Sequence, residues 1–144
     1  MATVYRYSYS ISPGKYFAAG IKSSLDIIIG QTDNIFIIEA YTDGNKGIKE
    51  ELDKILESVD ALDELVVFTD LLGGSITNQV LQFALKENVY ILSGMNLPLL
   101  IEVIMADPET SVAEVIETAV SSAREQIVFV NQLIHSNKDN TEDD

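Results

Sequence analysis

The chain contains no cysteine, which excludes disulfides, thiol nucleophiles and cysteine-ligated metal sites. It is also poor in positive charge. There are 9 Lys and Arg against 23 Asp and Glu, a formal net charge of −14. A nucleic-acid-binding face must replace counterions with cationic side chains, so no nucleic acid and no anionic membrane surface is expected as a partner. No apolar run approaches the roughly 18 residues that would span a bilayer. Met1-Ala2-Thr3-Val4-Tyr5-Arg6 has no basic segment leading into an apolar stretch, so no signal peptide is expected either. A cytoplasmic protein without membrane insertion is the expectation. Histidine occurs once, as His135.

What is present suits one globular domain: 144 residues, 47% of them hydrophobic. Part of the negative charge is local, because Asp139-Asn140-Thr141-Glu142-Asp143-Asp144 reads as a solvated acidic tail. Residues 1–135 are therefore read as the domain and 136–144 as a disordered tail. Nothing in the composition calls for a cofactor.

Hydrophobic periodicity orders the elements. Tyr5, Tyr7, Tyr9 and Ile11 alternate with Arg6, Ser8, Ser10 and Ser12, a period-two strand that is polar for a central position. Ser12-Pro13-Gly14 breaks it, either as a helix cap with proline first or as the middle of a type II turn. Phe17, Ile21, Leu25 and Ile28 mark the inward face of a helix over 16–29, with Gly30 as its cap. A doubly apolar strand spans 35–41, Thr42-Asp43-Gly44-Asn45 form a turn, and a helix over 48–59 points Ile48, Leu52, Ile55 and Val59 inward. A third strand over 65–69 leads to a helix from Ser75 to about Lys86, and a fourth covers 89–93. Asn96 caps a helix beginning at Leu97-Pro98, Asp107-Pro108 ends it, and a further helix runs from Ser111 to Arg124. Ile127-Val128-Phe129-Val130 is β-prone and offers a fifth strand. Alternating strands and helices with short connections predict an α/β fold, an open parallel four-stranded sheet with helices on both faces. Ligands bind such sheets at the carboxyl ends of the strands, where the strand order reverses.

The stretch LVVFTDLLGGSITN, residues 65–78, carries the main candidate chemistry. A strand ends at Asp70, and Gly73-Gly74-Ser75 opens the next helix. One reading is a phosphoryl-binding loop, in which glycines admit close backbone approach and Ser75 donates a hydrogen bond. The other is a tight turn with Ser75 as a helix cap. No lysine follows the glycines, so it is not a Walker motif. A phospho-accepting aspartate of the receiver type would need an acidic pair after the first strand, where Ser12-Pro13-Gly14 stands. His135 precedes the polar tail and reads as a surface residue, Tyr5, Tyr7 and Tyr9 read as strand packing, and Asn96 and Pro98 as cap and first-turn residues.

The motif order resembles one family. FTDLLGGSITN (68–78) is similar to the FTDLFGGSPFN-like signature of mannose-type enzyme IIA components of the bacterial sugar phosphotransferase system. LSGMNLPLLIE (92–102) is similar to their ISGVNLPMLLE-like segment, and GIKSSLDIIIG (20–30) looks like their first helix. The resemblance covers residues 4–133. It implies a homodimer in which a C-terminal strand, here 127–130, is exchanged with the partner chain. It implies acceptance of a phosphoryl group from the histidine phosphocarrier protein and its transfer to a IIB domain during sugar uptake. It implies that Asp70 orients the phospho-accepting histidine and that Gly73, Gly74 and Ser75 form the phosphoryl pocket. The acceptor itself, a histidine in an S-H-G-like turn after the first strand, does not carry over: its position falls at Pro13 or, counted back from Gly30, at Gly14. Neither residue forms a labile phosphoramidate. The expectation is a phosphocarrier-type IIA component unable to run the standard relay, with a regulatory or docking module, or a carrier using another acceptor such as His135, as the alternatives.

Overall fold

The computed structural model describes residues 5–30, 32–41, 48–58, 60, 62–84 and 86–142, with the backbone alone for Pro13 and for 137–142. The expected turn at 42–45 and the inward Val59 lie outside these. Four strands form one parallel sheet: β1 (Arg6–Pro13), β2 (Ile35–Ala40), β3 (Glu64–Thr69) and β4 (Val89–Ser93), in the order β2-β1-β3-β4. Registers Ile11↔Ile38, Ile11↔Thr69 and Phe68↔Leu92 align their carboxyl ends. The chain passes from β1 out to β2 and then back across β1 to β3, so the strand order reverses between β1 and β3, the place at the carboxyl edge where sheets of this kind form a ligand-binding crevice.

The sheet has a core on each face. Helices α1 (Phe17–Ile28), α4 (Leu97–Ile104) and α5 (Val112–Glu125) cover one, with Leu25, Val66, Phe68, Leu100 and Val115 packed together. Helices α2 (Lys49–Ser58) and α3 (Ser75–Val80) cover the other, with Ile11, Ile38, Leu52, Val67 and Ile76 at its centre. Strand β1 is central despite its polarity. Its serine face is buried at Ser8, Ser10 and Ser12, and the hydroxyls of the last two are satisfied by distant groups. Ser10 Oγ donates to Met95 Sδ at 3.1 Å, and Ser12 Oγ accepts the Ala18 N–H at 3.1 Å.

Several local expectations shift. Ser12 neither ends the strand nor serves as N-cap; Tyr16 is the N-cap of α1, and Ser12 reaches the first turn from within β1. The inward face of α1 is Ala18, Ile21 and Leu25, while Phe17 and Ile28 face solvent. Helix α3 ends at Val80 and tightens into a 3₁₀ turn over Leu81–Phe83, whose three-residue repeat brings Phe83 beneath Val80 into the core. Asn96 does cap α4, accepting the Leu99 N–H at 2.9 Å, and Ser111 caps α5. Gly30, at φ +81°, follows the C-cap of α1 as expected.

The segment read as a fifth strand differs most. Ile127, Val128 and Phe129 have no regular structure in the single chain, and Val130 opens α6 (Val130–Glu142), nucleated by Gln132 and Leu133 N–H groups on the Phe129 carbonyl. A β-prone run becomes a strand when it meets a ladder, and here it pairs with neither edge of its own chain's sheet. Helix α6 continues through the backbone of the region read as a tail, as far as Glu142.

Candidate functional site at the carboxyl edge of the sheet

Strand β3 delivers Asp70 to the crevice, and the chain then turns through residues 71–74 into α3. The turn is built from backbone and hydroxyl bonds. Gly74 N–H donates to the Leu71 carbonyl at 3.1 Å. Thr77 Oγ1 donates to the same carbonyl at 2.6 Å and lies 2.7 Å from Thr69 Oγ1, the two hydroxyls being buried. Gly73 has φ +80°, a left-handed conformation that glycine adopts without strain. At Gly74 a Cβ would stand 3.2 Å from the Leu71 oxygen and 3.3 Å from its Cβ, so a side chain there would need the turn to give by a few tenths of an ångström. Gly74 is the N-cap of α3, in extended conformation. Ser75 is therefore the first helical residue rather than the expected cap, and its hydroxyl is free to bond elsewhere.

It bonds to a residue the sequence did not single out. Tyr41 Oη, just past β2, lies 3.0 Å from Ser75 Oγ. Gln79 Nε2 donates to the same Tyr41 oxygen, and Gln79 Oε1 accepts the Ile48 N–H at 3.1 Å. Tyr41 has φ +60°, uncommon for a bulky residue. No local signal marks Tyr41, because its role depends on β2 ending beside α3.

Asp70 is half-buried, and its Oδ1 is buried with no hydrogen-bond partner. The registered ladder sets residues 12–14 alongside it, since Ile11 pairs with Thr69. The groups there offer little. Pro13 has no N–H, the Gly14 N–H donates to the Ala40 carbonyl at 3.0 Å, and Ser12 Oγ accepts the Ala18 N–H while keeping its own proton. Gly14 itself has φ +82°. Asp70, Gly73, Gly74 and Ser75 thus share one edge with Pro13 and Gly14, whereas His135 is exposed on α6, outside the sheet.

Other features lie away from this edge. A cavity of about 500 Å³ opens at the amino end of the sheet, lined among others by Ser8, Asn34, Ala106 and Pro108, and it includes the Arg6–Glu64 ion pair at 3.1 Å. Tyr9 and Phe36 stack with centroids 5.0 Å apart, and Tyr5 stacks on Tyr7 at 6.2 Å, so the tyrosines pack along the strand as expected. Burial, then the neighbouring Tyr7, raises the Tyr9 hydroxyl above its usual range. Among the described residues no cluster of histidine and carboxylates is arranged to hold a metal ion, and no helix is long and apolar enough to cross a membrane.

Comparison with known proteins agrees with this architecture. The model of the family described as PTS system fructose IIA component, EIIA-man, matches residues 11–120. Among solved structures, a proposed phosphoenolpyruvate-dependent sugar phosphotransferase system permease from Klebsiella pneumoniae superposes with a TM-score of 0.84 at 30% identity, covering 91% of this chain and 95% of that one. Phosphotransferase system component EIIA from Streptococcus agalactiae gives a TM-score of 0.77 at 25% identity, over 88% and 98% of the two chains. The IIA protein associated with the fucose utilization operon of Streptococcus pneumoniae gives 0.71 at 25% identity, over 93% and 99%. No curated protein matches in a sequence search. The family match spans three-quarters of the sequence and includes both the end of β1 and the Asp70–Ser75 turn, so the chain belongs to the EIIA-man family of phosphotransferase-system IIA components.

Proposed function

We propose that this chain is a IIA component that keeps the phosphoryl-binding turn but has lost the phospho-accepting residue, and that it serves as a docking or regulatory partner rather than as a link in the relay. The observation that carries this is the unpartnered Asp70 Oδ1 beside a β1 turn that has Pro13 and Gly14 at the two positions where the acceptor is expected. A buried carboxylate oxygen without a partner is costly, and an imidazole at this place would supply the missing N–H. The left-handed Gly14 favours Pro13 as the position corresponding to the histidine, because a side chain at φ +82° would be strained. Ser75, Gly73 and Gly74 remain to receive a phosphoryl group presented by a partner, the histidine phosphocarrier protein or a IIB domain. Such partners place the protein in the cytoplasm.

The deciding experiment is incubation with phosphoenolpyruvate, enzyme I and the histidine phosphocarrier, followed by intact mass measurement. The expected mass is unchanged. An acid-labile phosphoryl adduct overturns the non-carrier reading. His135 supports a second reading, because it is exposed on α6 and so is accessible to a partner's pocket. In that case the adduct disappears in His135→Ala.

The assembly we propose is a homodimer with exchanged C-terminal segments. Ile127, Phe129, Leu133 and Ile134 are all more than half exposed, at 77, 64, 52 and 57%, and β4 is an edge strand with an open ladder. Ile127→Asp with Phe129→Asp is expected to convert a dimer into a monomer in sedimentation velocity. A monomeric parent protein at micromolar concentration would refute the exchange.

A further inference from the structure

The amino edge of the sheet, opposite the Asp70–Ser75 turn, holds the cavity with two unlike linings. The lining from the strands is polar. The Arg6 side chain lies there 14% exposed, its Nε donating to Glu64 Oε1 at 3.1 Å and its Nη2 to the Thr110 carbonyl at 3.0 Å. Two bonds to different segments fix the guanidinium, and the N–H groups left over stay in its plane. Ser8 beside it is 5% exposed, and its hydroxyl has no partner among the described residues. Asp33 and Asn34 stand exposed at the mouth. The lining from α4 and the loop after it is apolar, with Val103, Ile104, Ala106 and Pro108.

A buried ion pair adds little net stability, because desolvation offsets the attraction. Bordering a cavity of about 500 Å³, a size that holds small ligands, the same pair presents fixed donors and acceptors to whatever enters. The lining sets two carboxylates, of Asp33 and Glu64, against one guanidinium. That disfavours a free anion, and an ammonium group would meet Arg6. Donors and acceptors interleaved at close spacing suit hydroxyls, which do both. The apolar side suits C–H surface. A cyclic polyol carries both, hydroxyls on its rim and C–H groups on its ring faces, whereas an extended polyol has no such face. We propose that this cavity binds a neutral cyclic polyol of monosaccharide size, with Arg6, Ser8 and Asn34 addressing its hydroxyls and the end of α4 packing on its ring. The site is separate from the phosphoryl-pocket reading and does not depend on it.

The test titrates the full chain with myo-inositol and with D-glucose, read through the amide shifts of Ile35 and Ala106 by NMR. Saturable shifts there, with Gly73 and Gly74 unmoved, are the expected result. No shift with either ring at tens of millimolar overturns the proposal, and so do shifts confined to Gly73 and Gly74. Asn34→Ala, at the exposed mouth, should weaken binding about fivefold, the loss of one hydrogen bond. Ser8→Val suits a strand, removes the buried hydroxyl and adds a methyl group to the cavity; it should weaken binding about tenfold. Unchanged affinity in both variants overturns the site. Mannitol, inorganic phosphate and methylammonium test the ligand class, and any of them binding as tightly as the better of the two rings overturns the assignment to a cyclic polyol. None of these failures bears on the relay, which the phosphoryl-adduct measurement decides separately.

Discussion

Strands β1 and β3 lie side by side at the centre of the sheet, end level with each other, and deliver two turns to the same crevice. The β3 turn is over-determined. Thr77 ties it to the helix behind it, Gly73 takes a left-handed conformation, Gly74 closes against Leu71, and Ser75 is held by Tyr41. The β1 turn is fixed by Ser12 on Ala18 and by Gly14 on Ala40, and it carries Pro13 and Gly14 where the resemblance expects the acceptor. Structural integrity and chemical competence are thus separate properties of neighbouring turns. A binding turn needs many mutually supporting contacts; a reacting turn needs one particular atom.

The sharpest way to break this contrast is to restore that atom. Pro13→His is expected to take the protein from no acid-labile adduct to a detectable one under enzyme I and the phosphocarrier, scored by intact mass before and after acid. If no adduct forms in the correctly folded variant, the β1 turn differs from a working site in more than one residue. In that variant, adding Asp70→Ala removes the carboxylate that would orient the imidazole and should slow phosphorylation by about a hundredfold, measured by quenched-flow mass analysis. Thr77→Val probes the other turn. It deletes a hydroxyl bonded at 2.6 Å to Leu71 and leaves the buried Thr69 hydroxyl without that partner, so it should cost about 2 kcal/mol in urea denaturation. Gly73→Ala should cost about 1 kcal/mol, the penalty of a left-handed side chain, since a Cβ there meets nothing within 4 Å. A larger loss would mean that the turn is packed more tightly than this spacing indicates.

Much of this edge was legible beforehand, and the reasons are local. Period-two alternation located β1 and short apolar runs located the strands after it, and the Asp70–Ser75 turn announced itself through a strand, two glycines and a helix in succession. The invisible parts depend on partners far along the chain. Serines on β1 looked too polar for a central strand because Met95 and Ala18, which satisfy Ser10 and Ser12, are not adjacent in sequence. Tyr41 and Gln79 carried no motif because their hydrogen bonds form only where the end of β2 meets α3. Residues 127–130 have the composition of a strand, but composition does not state which sheet will take them, and within one chain none does.

The two bonds that fix the β1 turn come from Ser12 and Gly14, and neither comes from the residue between them. The flanks of position 13 thus hold the turn through bonds of their own, which a substitution at position 13 does not remove. A lineage whose chemistry became dispensable could change that residue in a single step and keep every other surface its partners recognise. On the reading proposed above, such a change is reversible, and the Pro13→His variant measures whether one residue is the whole distance between the present sequence and a working relay.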